Sequence, residues 1–436
     1  MPPTNRIVEL ASIISEHTSK VDAYLISHNL PTPSFNISYP PKLPLPAEIQ
    51  ASRDAVLEAT DELTALMLGP IESLIPPPNS WICVTAIQRF GIATSFPPTT
   101  TSTFPQIATA CSLSESDTRR ILRQAMAFYI FYEPSPGIVA HTASSKALAE
   151  IPPVGAFIGF VSEEMLPAST RLVDAMQKWP GSEEPNQAGF ALTYETDIPM
   201  FDVVSRHPRR AQQMGKAMSF MHSRPGESVR FLLECFKWGA IATTPAVLVD
   251  VGGAKGTVAM EIARSFPEMK CVVQDTPEVI EGSQVPEDLQ EGERLWFMPH
   301  DFFQEQPVKG ADIYLVRNVL HDWSDKYAIR ILQNLIKALK KGARVLVVDR
   351  CLPAPGVVSP YQSRQASIEL LLTLVSINRC HDLYMKGIQN ARERDPDDWA
   401  QFFESADPRF RFHGVDTPKG SILSFMCATW EGEDMF

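Results

Sequence analysis

Two short stretches of this chain hold residue types that could do chemistry at spacings a fold can use. One is Asp250-Val251-Gly252-Gly253-Ala254-Lys255-Gly256. Its glycines allow a tight turn and let a ligand approach the backbone closely. The spacing is neither that of a phosphate loop nor G-x-G-x-x-G, and many folds need such a turn only structurally. Two acidic positions downstream add meaning. Asp275 lies at the distance where a carboxylate reaches ribose hydroxyls. His300-Asp301-Phe302 sets an acid beside an aromatic ring, suited to the amino group and flat face of adenine. Together they suggest an adenosine-bearing cofactor without a 2′-phosphate, with NAD still open on these residues alone. The other stretch is Leu320-His321-Asp322-Trp323. A histidine can take up a proton near neutral pH, although a lone histidine is more often structural.

These residues need elements to hold them. After Trp238, strand-like apolar runs at Ala246 to Val251, Lys270 to Gln274, Ala311 to Val316 and Arg344 to Asp349 alternate with helical stretches such as Thr257 to Ser265 and Lys326 to Lys340. That alternation predicts a doubly wound, Rossmann-like α/β sheet over 241–436. Phe410 to Val415 and Ile422 to Trp430 suit a closing hairpin. The first strand runs into Asp250 and its glycine turn, and His321 follows a later strand, at the edge where such sheets bind ligands.

Upstream the pattern is helical. Arg6 to Leu30 and Ala51 to Leu74 read as helices around a proline-rich connector, Pro31 to Pro46, and Pro76-Pro77-Pro78 ends the second. Thr103-Phe104-Pro105-Gln106 opens a helix, Ser114 to Asp117 caps the next at Thr118 to Phe128, and Ile130 to Glu133 with Gly137 to His141 form two strands. Helix, turn, helix and wing describe a winged helix within 1–150. Arg119, Arg120 and Arg123 would lie on its second helix, but the lack of a basic wing favours a structural or dimerising role over DNA binding. Residues 151–240 are helical and rich in Met and Phe, which reads as plain core at most positions and as an adaptable pocket for a flat substrate at some. Met165, Met218 and Met221 are the candidates, with Asp322 beside His321.

Four motifs occur in a familiar order: Asp250 to Gly256, Gln274-Asp275-Thr276-Pro277, His300-Asp301-Phe302-Phe303, and Arg317-Asn318-Val319-Leu320-His321-Asp322-Trp323-Ser324-Asp325. This pattern resembles the caffeate-type O-methyltransferases of plants and fungi, and most nearly the fungal members of secondary metabolism. The resemblance implies S-adenosylmethionine as cofactor. Asp250, Gly252 and Gly253 would border its methionine part, Asp275 and Thr276 its ribose, and Asp301 and Phe302 its adenine, with Arg317 in place of a lysine. It implies that His321 is the general base, flanked by carboxylates at Asp349, where glutamate is common, and Glu393. No metal is implied, because the sulfonium is itself the activated leaving group. Ala254 stands where a third glycine is common, and Val375 to Gln389 interrupts a stretch contiguous in relatives, as a loop or as an intron translated in frame. On that reading the segment is dispensable.

Composition narrows the classes. The chain has 436 residues, 44% hydrophobic and 21% charged, with a formal charge of −12, which suits a multidomain protein and opposes coating of nucleic acid or anionic membrane. The seven cysteines form no C-x-x-C pair, pointing to a reducing compartment. The absence of a signal-like run or a spanning stretch points to the cytoplasm. The acceptor is expected to be a small aromatic or polyketide-type molecule, and the chain a homodimer through its helical half, where Arg6 to Thr142 holds more apolar surface than a small domain buries. Two rivals stand beside this expectation. One is a pericyclase or dehydratase of the same fold, which would replace the base with a permanent cation. The other is a non-catalytic winged-helix regulator.

Overall fold

A computed structural model describes residues 5–74, 80–354, 356–364, 379–434 and 436. The chain forms two compact units, one of Met1–Glu163, His207–Met221 and Ser359–Gln362, the other of Glu164–Arg206, His222–Val358 and Ser363–Phe436. Residues 151–240 are divided between them.

In the first unit, helices α1 (Arg6–Ser27) and α2 (Ala47–Glu72) pack on each other. Helix α2 breaks where Gly69 takes a φ of 77° before Pro70, and the Pro76 to Pro78 stop lies outside the described residues. Three helices follow, α3 (Trp81–Arg89), α4 (Phe104–Ala110) and α5 (Glu115–Ala127). Thr103 and Gln106 form a reciprocal cap on α4, and the Ser114 side chain accepts from the Asp117 N–H on α5, which satisfies N–H groups a helix start otherwise leaves open. Strands β2 (Phe131–Ser135) and β3 (Ile138–His141) pair antiparallel, and β1 (Thr101–Thr103) adds to β3. The short, polar Thr-Ser-Thr of β1 is not expected as a strand, since it has too few residues to show an alternating apolar pattern. Cys83, Ile87, Phe104, Leu122, Phe131 and Val139 close one apolar core among these elements. Arg119 pairs with Glu115 and Arg123 with Glu133, and both guanidiniums lie over the Phe104 ring. Two of the three arginines on α5 are thus committed within their own unit.

The second unit carries a seven-stranded sheet, order β6-β5-β4-β7-β8-β10-β9. Its strands are β4 (Ala246–Val251), β5 (Met269–Asp275), β6 (Leu295–Pro299), β7 (Ile313–Arg317), β8 (Arg344–Asp349), β9 (Phe410–Asp416) and β10 (Ser424–Trp430). The first five are parallel, and β10 runs antiparallel to β8 and to β9. Leu248, Val249, Val272, Leu315, Val345 and Leu346 are fully buried, as expected of strands covered on both faces. Helices α6 (Thr257–Ser265) and α7 (Asp325–Leu335) begin after the turns that leave β4 and β7, so those turns stand at the carboxyl edge of neighbouring strands.

The interruption after Leu374 differs from the expected loop. Residues 375–378 lie outside the described residues, but Arg379–Gln389 is helix α8, with Met385, Gly387, Ile388 and Gln389 buried. It packs on the helices Leu166–Thr170 and Gly189–Thr193, and a Cβ on Gly387 would come 3.3 Å from the Ser169 Cα. A helix held that closely is a core element, not a dispensable connection. Helix α9 (Pro396–Ala406) follows.

Candidate active site

The turn after β4 bares its backbone for physical reasons. Gly252 has a φ of 74°, and a Cβ there would lie 2.8 Å from the Val319 side chain. On Gly253 it would meet Asp250 Oδ2 at 2.6 Å. Ala254 takes a φ of 49°, left-handed backbone that costs an alanine more than the usual glycine. Its N–H donates to Asp275 Oδ2 at 2.9 Å, and the Thr276 N–H donates to Asp275 Oδ1 at 2.8 Å. Asp275 is therefore fixed at the end of β5 by backbone donors from both sides.

Buried polar atoms lie unsatisfied beside this turn. Asp250 Oδ2 and both side-chain polar atoms of Asn318 are buried and have no hydrogen-bond partner among the described residues. Burial pushes Asp250 up to about 7 against the pull of Arg317. Such groups cost free energy unless something pairs with them, so this edge suits a polar ligand. Asp301 accepts from the Phe303 N–H at 2.9 Å, and Phe302 packs edge-on to Trp323 and Phe303. Arg317, at the end of β7, donates to the Glu227 carbonyl at 2.8 Å.

His321 sits in a short helical turn, Leu320–Asp322, directly after β7, and is 9% exposed. Glu393 Oε1 lies 3.1 Å from its Nδ1. Asp349 touches the same residue at another point, accepting from the His321 backbone N–H at 3.1 Å. The shorter aspartate thus holds the chain beneath the ring, while the glutamate holds the ring. On the other side, Nε2 lies 3.6 Å from Asp322 Oδ1. Burial opposes a charge on His321, but Asp349, Asp322 and Glu393 outweigh it and push the imidazole up to about 10. Burial also works against the Glu393 carboxylate, yet His321 and His381 beside it hold it well below its ordinary range. The pair rests as imidazolium and carboxylate.

Several residues of this cluster carry no sign in the sequence. Arg350 Nη1 lies 3.8 Å from Glu393 Oε1, and its Nη2 donates to Glu227 Oε1 at 3.3 Å. Arg224 also pairs with that oxygen. Arg394, 1% exposed, donates to the Leu320 and Trp323 carbonyls at 2.9 and 3.0 Å and to Asp325 at 2.8 Å, bracing the turn that carries His321. The A-R-E-R run could have suggested Arg394, whereas Glu227 comes from the helical segment far upstream. Of the substrate candidates, Met165 and Asp322 belong to this unit and Met165 is buried, while Met218 and Met221 belong to the other.

A family model described as an O-methyltransferase domain matches residues 174–408. The chain is 37% identical to O-methyltransferase kk1A of Curvularia clavata over 434 residues, 99% of each chain. It is 36% identical to a chlorophenol O-methyltransferase of Trichoderma longibrachiatum, covering 98% of this chain and 91% of that one. Among solved structures it is similar to OxaC in complex with SAH and oxaline, with a TM-score of 0.71 at 18% identity, covering 97% of this chain and 100% of that one.

Proposed function

The chain belongs to the O-methyltransferase family, and from that premise we propose that it moves a methyl group from S-adenosylmethionine to a hydroxyl of a small aromatic or polyketide-type secondary metabolite. The observation that carries this is the His321–Glu393 pair at the carboxyl edge of the sheet, on the strand next to the bared Gly252-Gly253 turn. In this reading Asp250, Gly252 and Gly253 hold the methionine end of the cofactor, Asp275 and Thr276 the ribose, and Asp301 and Phe302 the adenine. Arg317 takes the place of a lysine near the adenine and is steadied by the Glu227 carbonyl. Bound there, the cofactor supplies an activated methyl on a cationic sulfur.

The chain's own residues handle the proton. Glu393 occupies Nδ1 of His321, so once the resting imidazolium has shed its Nε2 proton to solvent, Nε2 takes the proton of the acceptor hydroxyl. A phenol attacks far better as phenolate, so that transfer and attack occur together. Asp349 keeps the backbone of His321 in place, and Asp322 and Met165 contact the acceptor side. A phenolic acceptor fits the chlorophenol enzyme that the chain resembles.

We further propose that residues 1–150 form a winged-helix dimerisation domain, that 151–240 contribute to substrate binding, and that 241–436 form the catalytic domain of a cytoplasmic homodimer. The first unit exposes Met67, Ile71, Leu74 and Ile82, each at least 70% accessible, an apolar set that association would cover. Light scattering at micromolar concentration should give the dimer mass, and a monomer mass would oppose this.

The decisive experiment follows S-adenosylhomocysteine beside the organic product while purified protein turns over phenolic acceptors with labelled cofactor. Equal amounts of both are expected. Product formed without S-adenosylhomocysteine would convert the reading into a cofactor-assisted reaction without methyl transfer.

A further inference from the structure

Helix α8 brings to Glu393 residues that the proposed mechanism does not use. His381 Nδ1 lies 3.3 Å from Glu393 Oε1, the same oxygen that meets His321 Nδ1 at 3.1 Å. The next residue, Asp382, accepts from the Glu393 backbone N–H at 2.9 Å. At the far end of the helix, Gln389 Nε2 donates to the Asp322 carbonyl. Asn390, in left-handed backbone with a φ of 55°, ends the helix by donating to the Glu184 and Gln187 carbonyls at 2.9 and 3.0 Å. One helix therefore grips the carboxylate, its backbone and the turn that bears the histidine.

We infer that α8 is a positioning element of the site, and that His381 acts through Glu393 by sharing its Oε1 with His321. This rests on the reading of His321 as the base, because a shared carboxylate matters only if the first imidazole has work to do.

The physical argument is competition for one negative charge. A carboxylate oxygen that meets two imidazoles gives each less than it would give one alone. Charged and titratable groups face the pair from every side: Asp322 in the His321 turn, Asp349 and Arg350 at the end of β8, Asp382 on α8, and Glu227 and His222 behind Arg350. Burial disfavours a charge on His381, with Arg350 and His321 adding to that. It therefore stays neutral beside Glu393, drawing on the carboxylate without neutralising it. With His381 removed, the full attraction of Glu393 falls on His321, which then keeps its proton to higher pH.

The test reads His321 itself and needs no acceptor. The full chain, labelled at the histidine ring carbons, is titrated by NMR, with the His321 signal assigned by its loss in H321A. In H381L the His321 midpoint should rise by roughly one pH unit, the scale on which one charge-assisted hydrogen bond favours an ionised group. In H381Q, which keeps a donor at that place, it should stay near the wild-type value. If H381L is insoluble, H381M loses the same donor at similar length and carries the same test. A midpoint that stays fixed or falls in the donor-less variant, or moves equally in H381Q, overturns the assignment. Failure of methyl transfer in the S-adenosylhomocysteine assay with the midpoint change intact would instead remove the reaction and leave the shared carboxylate standing.

Discussion

Each unit buries a histidine, and the two are held in opposite states. In the first unit, His141 at the end of β3 is 2% exposed. It stands between Phe96 and Phe131, with ring centroids 4.4 and 4.9 Å away, and its Nδ1 is 3.0 Å from Ser145 Oγ. Burial among aromatic rings pushes it down to about 4. In the second unit His321 is nearly as buried, yet Asp349, Asp322 and Glu393 push it up to about 10. Burial alone therefore does not mark a histidine as structural or reactive. What stands around the ring decides, since a low-dielectric shell magnifies whichever partner it contains. The stability consequences have opposite signs. His141 binds its proton less readily folded than unfolded, so its contribution is lost as pH falls from 6.5 toward 4. His321 binds its proton more readily folded, so its contribution is full below 6.5 and lost as pH rises toward 10.

The largest effect expected from this contrast is on the rate. H321A should lower methyl transfer by about 10²–10⁴-fold, the usual worth of a positioned base, while calorimetric affinity for S-adenosylmethionine stays the same. Raising the pH should restore part of the rate, because a phenolic acceptor then ionises unaided. Substitution of His141 by Gln should leave turnover per folded molecule unchanged, and a comparable rate loss there would erase the distinction between the two.

Next in size is the acid response of the first unit. Between pH 6.5 and 4 the wild-type unit should lose about 3 kcal/mol relative to H141Q, since each tenfold change in proton affinity is worth about 1.4 kcal/mol. Amide exchange in β1 to β3 reads this locally. Identical acid profiles for wild type and H141Q would mean that the buried ring is protonated in the folded unit after all.

Parts of this contrast were legible in the chain and parts were not. The strands β4, β5, β7 and β8 announced themselves as apolar runs, because a sheet covered on both faces needs no alternation. The glycine turn, Asp275 and His321 followed from those strands. Asp349 and Glu393 were suggested only by resemblance, and the sequence could not say that one holds backbone and the other the ring. That difference arises because Asp349 ends β8, whereas Glu393 comes from the segment between α8 and α9. Glu227, Arg350 and His381 were invisible because their importance depends on distant segments meeting. His381 was further hidden by lying in a segment with the look of a loop, since its helix is buried against the helices Leu166–Thr170 and Gly189–Thr193 far upstream. His141 looked like any strand residue, and only its aromatic neighbours make it informative.

Removing the partner of the reactive histidine should cost less than removing the histidine. E393Q keeps the size of the side chain and deletes its charge, so the loss should be about 1.5–3 kcal/mol of transition-state stabilisation, the worth of a hydrogen bond to a charged group. Its direction in pH is the sharper reading. With the nearest carboxylate neutral, His321 should shed its proton at lower pH, and the rising limb of kcat/KM should move toward acid. A limb that stays in place would show that Asp349 and Asp322 alone hold the proton.

The smallest effect is expected from the partner of the quiet histidine. Ser145 Oγ lies 3.0 Å from His141 Nδ1 and also accepts from the Thr142 N–H at 2.9 Å. His141 Nε2 already has no partner among the described residues. In S145A neither ring nitrogen would be paired, and the cap on the helix Ala143–Glu150 would lose a member. The cost should be about 1–2 kcal/mol of stability, as is usual for one buried polar group left unsatisfied. It should appear in denaturation of the first unit and in faster amide exchange of β3. The pH profile of kcat/KM should not move, because no charge near His321 changes. If the profile does move while the folded fraction is held constant, then the two histidines are coupled. The separation of a structural imidazole from a reactive one would then have to be abandoned.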